Sequence, residues 1–167
     1  MKLIVCDTGP ILHLKEANLL ELLQKAGKVC IPKMVDIELK KLYPLWGKYR
    51  PEWILIDPLL PNKTTQAESL FLSGLLDFGE AEAIILAKRL KPEWFLTDDT
   101  ETRILANSLG MEVHGSLGIV LWSAAIGQIN YIESKEALDS LSKTSLWISR
   151  DILSEALKAL KTIFEKI

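Results

Sequence analysis

Leu3-Ile4-Val5-Cys6-Asp7-Thr8-Gly9-Pro10 is a short apolar run that ends abruptly in an acid and a polar turn. Helical spacing then takes over, with Ile11, Leu12, Leu14, Leu19, Leu20, Leu22 and Leu23 on the buried side of a stretch reaching about Gln24. Four apolar residues in a row, two of them β-branched, read as a strand buried on both faces, and strand, turn, helix is the unit from which parallel sheets are built.

Working outward, Gly27 is expected to stop this helix before a second strand, Val29 to Ile31. Pro32 then opens a helix carrying Met34, Val35, Ile37, Glu38 and Leu39. Tyr43 to Asn62 holds Pro44, Pro51, Pro58 and Pro61 around one strand, Trp53 to Ile56, and reads as an irregular crossover. A helix near Thr65 to Ser73 follows, and Asp77-Phe78-Gly79-Glu80 starts another, to about Leu90, that is apolar almost all round and therefore deep in the fold. Trp94 to Thr97 and Met111 to His114 read as strands, Thr100 to Leu109 and the stretch from Ser116 to Ala125 as helices. The alternation predicts a three-layer α/β/α fold with a central, mainly parallel sheet. From Ile132 on only helices are expected, with a polar break at Ser142 to Ser145. The last helix is amphipathic through Ile152, Leu153, Ala156, Leu157, Leu160, Ile163 and Phe164 and is expected to cover one face of the sheet or to form a groove for a partner.

At 167 residues, with 49% hydrophobic and 25% charged residues, the chain fits one domain with a substantial core, residues 1–128 forming the body and 129–167 a C-terminal helical extension. The net charge of -2 sets up no global positive field, so any nucleic-acid contact must be local. The two cysteines, Cys6 and Cys30, fall in buried strands and read as free thiols in a reducing, cytoplasmic setting. The start is too soon interrupted by Asp7 to be a signal peptide, and no apolar run nears the about 18 residues of a membrane span.

The chemistry resides in the acids. Asp7 follows the first strand, Asp98 and Asp99 follow the fourth, and Glu38 and Glu82 lie in helices that can lean over the same edge of the sheet. Carboxylates gathered without a cation repel one another, so their convergence points to a hard divalent ion such as Mg²⁺ or Mn²⁺. Each acid also has a plainer role. Asp7 can cap the helix that begins near Pro10, Glu38 can be solvated beside Lys40 and Lys41, and Asp77 with Glu80 has the form of a capping box, which favours Glu82 as the ligand of that pair. Asp98 or Asp99 can serve as a turn residue, Thr97 as a strand end, Ser116 as a helix cap or phosphate contact, and Arg103, one turn beyond Asp99, can pair with an acid or hold a phosphate. His13 and His114 lack ligand spacing and read as packing or surface residues. Lys40, Lys41, Lys48 and Arg50, with Trp46 and Tyr49 between them, form a modest surface for stacked, unpaired bases, and Lys88, Arg89 and Lys91 form a second basic group.

Val5-Cys6-Asp7-Thr8-Gly9-Pro10, Val35-Asp36-Ile37-Glu38-Leu39, Gly79-Glu80-Ala81-Glu82-Ala83-Ile84 and Leu96-Thr97-Asp98-Asp99 with Arg103 resemble, in order and spacing, the successive acidic motifs of PIN domains. The resemblance runs from Met1 to about Gln128 and is similar to the VapC-like toxin ribonucleases of prokaryotes. It implies a Rossmann-like sheet, a Mg²⁺- or Mn²⁺-dependent ribonuclease leaving a 5′-phosphate and a 3′-hydroxyl, often a homodimer, and for a toxin a small antitoxin protein as partner. By position, Asp7, Glu38, Glu82 and Asp99 match the four acids, with Asp7, Asp99 and Glu82 as metal ligands and Glu80, Asp98, Thr97, Arg103 and Ser116 as further site residues. Two other readings stand beside it. One is a binding module that kept the fold without turnover; the other is a phosphatase-like hydrolase with Asp7 as nucleophile, which the absence of a second Asp two residues on disfavours.

Overall fold

A computed structural model describes residues 1–166; Ile167, the last residue of the expected domain, lies outside the described residues. The chain runs β1 (Lys2–Cys6), α1 (Thr8–Glu16), α2 (Leu20–Ala26), β2 (Gly27–Ile31), α3 (Lys33–Leu42), a single turn α4 (Trp46–Tyr49), β3 (Ile54–Ile56) and α5 (Pro61–Leu72). It continues with α6 (Phe78–Leu90), β4 (Trp94–Leu96), α7 (Thr100–Ser108), β5 (Val113–His114), α8 (Ser116–Ala125), α9 (Tyr131–Ser142) and α10 (Arg150–Lys166).

The strands form one five-stranded sheet in the order β3-β2-β1-β4-β5, every neighbouring pair parallel. Alternation within the strands explains why they read as unbroken apolar runs. Ile4, Cys6, Val29, Ile31, Trp94 and Leu96 point into one core, whereas Val5, Cys30 and Phe95 point into the other. The first core is closed by residues of α1, α2, α3, α8, α9 and α10, among them Leu138 and Leu160, and the second by α5, α6 and α7. Helices therefore lie on both faces, which is the three-layer α/β/α arrangement expected from the sequence.

Two local expectations are corrected. The long first helix is broken at Ala17-Asn18-Leu19, where Asn18 adopts φ 59° and Leu19 N–H donates to the Leu14 carbonyl at 2.7 Å. Asn enters this left-handed region at small cost, so the apolar periodicity continues across a turn that it does not register. Gly27 does more than end a helix: it is the first residue of β2, and a Cβ there would overlap the Lys2 carbonyl of β1. Only glycine permits that approach at the start of the β1–β2 ladder. Among the described residues no helix is long and apolar enough to cross a membrane.

Candidate active site

From β1 the chain moves outward to β2 and β3, then returns across the sheet to place β4 on the other side of β1. The β1–β4 junction is thus where strand order reverses, and in open parallel sheets ligands bind outside the carboxyl ends of the strands at that point. Asp7 N–H donates to the Leu96 carbonyl at 2.9 Å, which ties the residue after β1 to the end of β4. The Asp7 side chain caps α1, its Oδ1 accepting from Thr8 N–H at 2.7 Å, while its Oδ2 accepts from the Thr97 hydroxyl at 3.1 Å. It is only 4% exposed. Thr97 Oγ1 also accepts from Asp99 N–H at 3.1 Å, so this one hydroxyl links both strand-end acids.

Asp98 and Asp99 diverge. Asp99 caps α7, its Oδ2 accepting from the Thr102 amide and hydroxyl at 2.8 and 2.9 Å. Asp98 turns to α8 and α1, its Oδ1 accepting from Ser116 N–H at 2.7 Å and its Oδ2 lying 2.7 Å from His13 Nδ1 and within reach of the Ser116 hydroxyl. Ser116 is accordingly a bonded partner of Asp98, and Arg103 braces the turn by donating to the Thr97 carbonyl at 3.2 Å.

α3 and α6 supply the opposite wall. Glu38 accepts from the Thr8 hydroxyl and, through Oε1, from Gly79 N–H at 3.1 Å. The expected capping box is present: Asp77 Oδ1 accepts from Glu80 N–H and Glu80 Oε2 from Asp77 N–H, both at 2.8 Å. Capping leaves both acids on the cavity. A cleft of about 620 Å³ is lined by Asp7, Glu38, Asp77, Glu80, Asp98 and Asp99, together with Thr8, His13 and Lys41. Glu82 does not line it. Its carboxylate, 7% exposed, accepts from Met34 N–H at 2.9 Å and so occupies the first turn of α3, where free amides and the helix dipole favour an anion.

Three of the cleft acids, Asp7, Glu38 and Glu80, hold their protons more strongly than ordinary carboxyls. Burial pushes Asp7 well up, with the charges of Glu80 and Asp77 adding to it against the opposing Thr8 and Thr97 hydrogen bonds. Burial likewise raises Glu38, helped by Asp77 and Glu82. It lifts Glu80 to about 7, with Asp77 and Asp99 adding. These mutual repulsions mark a set of acids that feel one another in a partly desolvated space.

His13, Asp77 and Trp147 are among the cleft residues that the sequence does not mark as site residues. His13 lies four residues beyond Gly9 and so shares its helix face, a spacing signal that was legible; as the partner of Asp98 it is part of the wall, not simple packing. Asp77, whose spacing marks a helix cap, also lines the cleft. Trp147, between α9 and α10, carries no periodic signal at all. Conversely, the proposed stacking residue Trp46 is 2% exposed and donates its indole N–H to Asp36 at 2.9 Å, so it cannot meet a base. Lys40 pairs with Asp36 at 2.8 Å and Arg89 with Asp57 at 2.5 Å, while Tyr49 is exposed beneath the Lys48 ammonium.

A family model described as a PIN domain matches residues 3–162. The chain belongs to the PIN-domain family. PIN domains are generally nucleases and typically use divalent metals. No curated protein matches the chain. Among the described residues of this PIN domain, no three His, Cys, Asp or Glu side chains stand together closely enough to hold an ion by themselves, and Asp7, Asp99 and Glu82 are not drawn into one ligand set. The physical reason lies in their hydrogen bonds: Glu82 is engaged by α3 away from the cleft, and Asp99, whose Oδ2 is engaged by Thr102, keeps only its Oδ1 open to an ion. The donor chemistry nevertheless fits a hydrated Mg²⁺ or Mn²⁺, which is commonly held by one or two carboxylates with waters and substrate phosphate oxygens completing the shell.

Proposed function

We propose that this PIN domain is a Mg²⁺- or Mn²⁺-dependent endoribonuclease that hydrolyses RNA phosphodiester bonds and acts in the cytoplasm as the toxin of a toxin–antitoxin pair, assembled as a homodimer and blocked by an antitoxin over the acidic cleft. The observation that carries the catalytic reading is the convergence of Asp7, Glu38, Glu80 and Asp99, from the ends of two strands and the walls of two helices, on one cleft at the strand-order reversal. The buried, free thiols of Cys6 and Cys30 suit a reducing compartment.

Asp7 and Asp99 would hold the cation, with Glu80 and Glu38 completing its surroundings through water. When bound, the ion supplies an acidified water and neutralises charge building on the phosphate. Thr97 keeps Asp7 and Asp99 in register through its single hydroxyl. Thr8 and Gly79 hold Glu38 against the cleft from two sides. Glu80, with its pKa near 7, is able to take up a proton at neutral pH. The test is cleavage of a structured RNA pool with added Mg²⁺ or Mn²⁺, mapped at nucleotide resolution; cleavage that persists in chelator removes the metal from the proposal.

Of the paired acids, Glu80 is the better supported for the site, and Glu82 for positioning α3. Glu80→Gln should lower kcat by roughly 10²-fold, the scale of losing one preorganised charged group, whereas Glu82→Gln, which keeps an acceptor for Met34 N–H, should stay within a few-fold of wild type. The reverse ranking in a kinetic comparison would restore Glu82 to the ligand set.

Gly79 offers a separate handle. A Cβ at this position would collide with the Glu38 carboxylate, the mobile end of a side chain, and not with backbone. Gly79→Ala is therefore expected to leave the melting temperature within a few degrees of wild type while cleavage falls about tenfold or more, since moving a positioned group by about 1 Å can cost up to 10²-fold. An unchanged rate in the folded variant would show that Glu38 is dispensable where it stands.

A further inference from the structure

The segment joining α9 to α10 contributes Ser145, Leu146 and Trp147 to the lining of the acidic cleft. It is tied down at several points. Ser145 N–H donates to Glu16 Oε2 at 3.0 Å and its hydroxyl to Glu16 Oε1, Leu146 N–H donates to Thr144 Oγ1 at 3.2 Å, and the Thr144 hydroxyl donates to the Leu141 carbonyl at 2.7 Å. Ile148 packs against the core on the other side. Between these anchors Trp147 is 82% exposed, whereas Trp46 and Trp94 are buried and Trp53 and Trp122 are partly covered. A large indole left in water on a tethered segment has given up its burial without the excuse of a loose chain.

Its neighbours indicate what covers it. Leu146 and Trp147 also line an adjoining groove of about 360 Å³ that contains Arg103 and His114, so the indole stands between the acidic cleft and a groove bearing a guanidinium and an imidazole. We propose that Trp147 is a stacking platform for one unpaired base of single-stranded RNA, next to the phosphate handled in the acidic cleft, with the strand continuing along the groove past Arg103 and His114. This rests on the nuclease reading above. A flat aromatic face accepts any base, while fork-shaped donors such as Arg103 hold phosphate oxygens. Ser145 and Thr100 in the cleft and Asp98, Arg103 and His114 in the groove set polar groups beside the apolar Leu117, Ile148 and Ile152, the mixture that suits a base and its phosphate.

The test is an anisotropy titration of labelled, mixed-sequence single-stranded oligoribonucleotides in chelator against wild type, W147F and W147A. W147A is expected to bind about tenfold more weakly, W147F to lie near wild type, and the melting temperature and salt dependence to be the same for all three. In a series carrying one abasic position at a time, one position should weaken wild type and leave W147A unaffected. W147A binding RNA as tightly as wild type overturns the proposal, and does so equally if the variant instead loses a complex with a co-encoded protein. Metal-dependent cleavage by wild type is scored alongside. Cleavage with Trp147-independent binding removes the platform and keeps the nuclease; Trp147-dependent binding without cleavage removes the nuclease and supports the platform.

Discussion

Asp7→Asn is expected to leave a folded protein whose metal-dependent RNA cleavage is lower by roughly 10³-fold, the scale of the several kcal/mol of charge stabilisation that the proposed metal centre would lose. The fold should tolerate the change for a specific reason. Asn keeps an oxygen to accept from Thr8 N–H, and its amide N–H can donate to Thr97 Oγ1, whose two lone pairs also serve Asp99 N–H. A buried amide also avoids the desolvation that pushes the Asp7 carboxyl up, so the melting temperature at neutral pH should be equal to or above that of wild type. Paired measurements of cleavage rate and thermal unfolding check this. A folded variant that cuts RNA as fast as wild type would end the metal-nuclease proposal.

Without divalent metal, stability should fall as pH rises from about 4.5 to above 7, and Mn²⁺ or Mg²⁺ should restore it at the upper end. Glu80 titrates near 7 in the folded protein against an ordinary 4.5, and Asp7 and Glu38 are raised as well. A carboxyl with a higher pKa in the folded than in the unfolded chain binds its proton preferentially when folded. Its contribution is therefore complete below the unfolded value and lost as pH climbs through the folded one. Glu93 and Glu112, which surface hydrogen bonds hold below the ordinary value, work the other way, but their effect lies below pH 4.5 and leaves the upper window to the cleft acids. Because Glu80 is partly solvated, the loss is on the order of 1–2 kcal/mol after allowance for screening, or roughly 2–8 °C in melting temperature. Thermal scans in chelator and in Mn²⁺ from pH 5 to pH 8 measure it. A metal-induced rise that is as large at pH 5 as at pH 8 would show that the ion is not binding these carboxylates.

The centre of the sheet was legible because β1 and β4 are short, apolar on both sides and followed by a polar turn; Ile4-Val5-Cys6 before Asp7 and Phe95-Leu96 before Thr97 leave little choice. The capping box at Asp77 was legible from spacing alone. What spacing could not supply was direction. Glu80 and Glu82 are two residues apart on α6, about 200° around a helix, so one meets the cleft and the other meets α3, and only the packing of α3 against α6 decides which. Asp98 and Asp99 divide in the same way between α8 and α7. Trp46 looked like a surface aromatic because it stands among Lys40, Lys41, Lys48 and Arg50, yet Asp36, ten residues earlier, gives its indole N–H a buried partner. Trp147 was invisible for the opposite reason: an exposed side chain between helices leaves no periodic trace.

The position of β4 beside β1 also bears on how the protein is made. Until Trp94 to Leu96 has been synthesised, β1 presents one open flank of backbone amides and carbonyls to the surroundings, and Asp7 has no Thr97 to grip it. The nascent chain thus spends the translation of some ninety residues as a sticky, incompletely paired fragment. Its acidic cleft is assembled only after Asp98 and Asp99 have been made and brought up against Asp7.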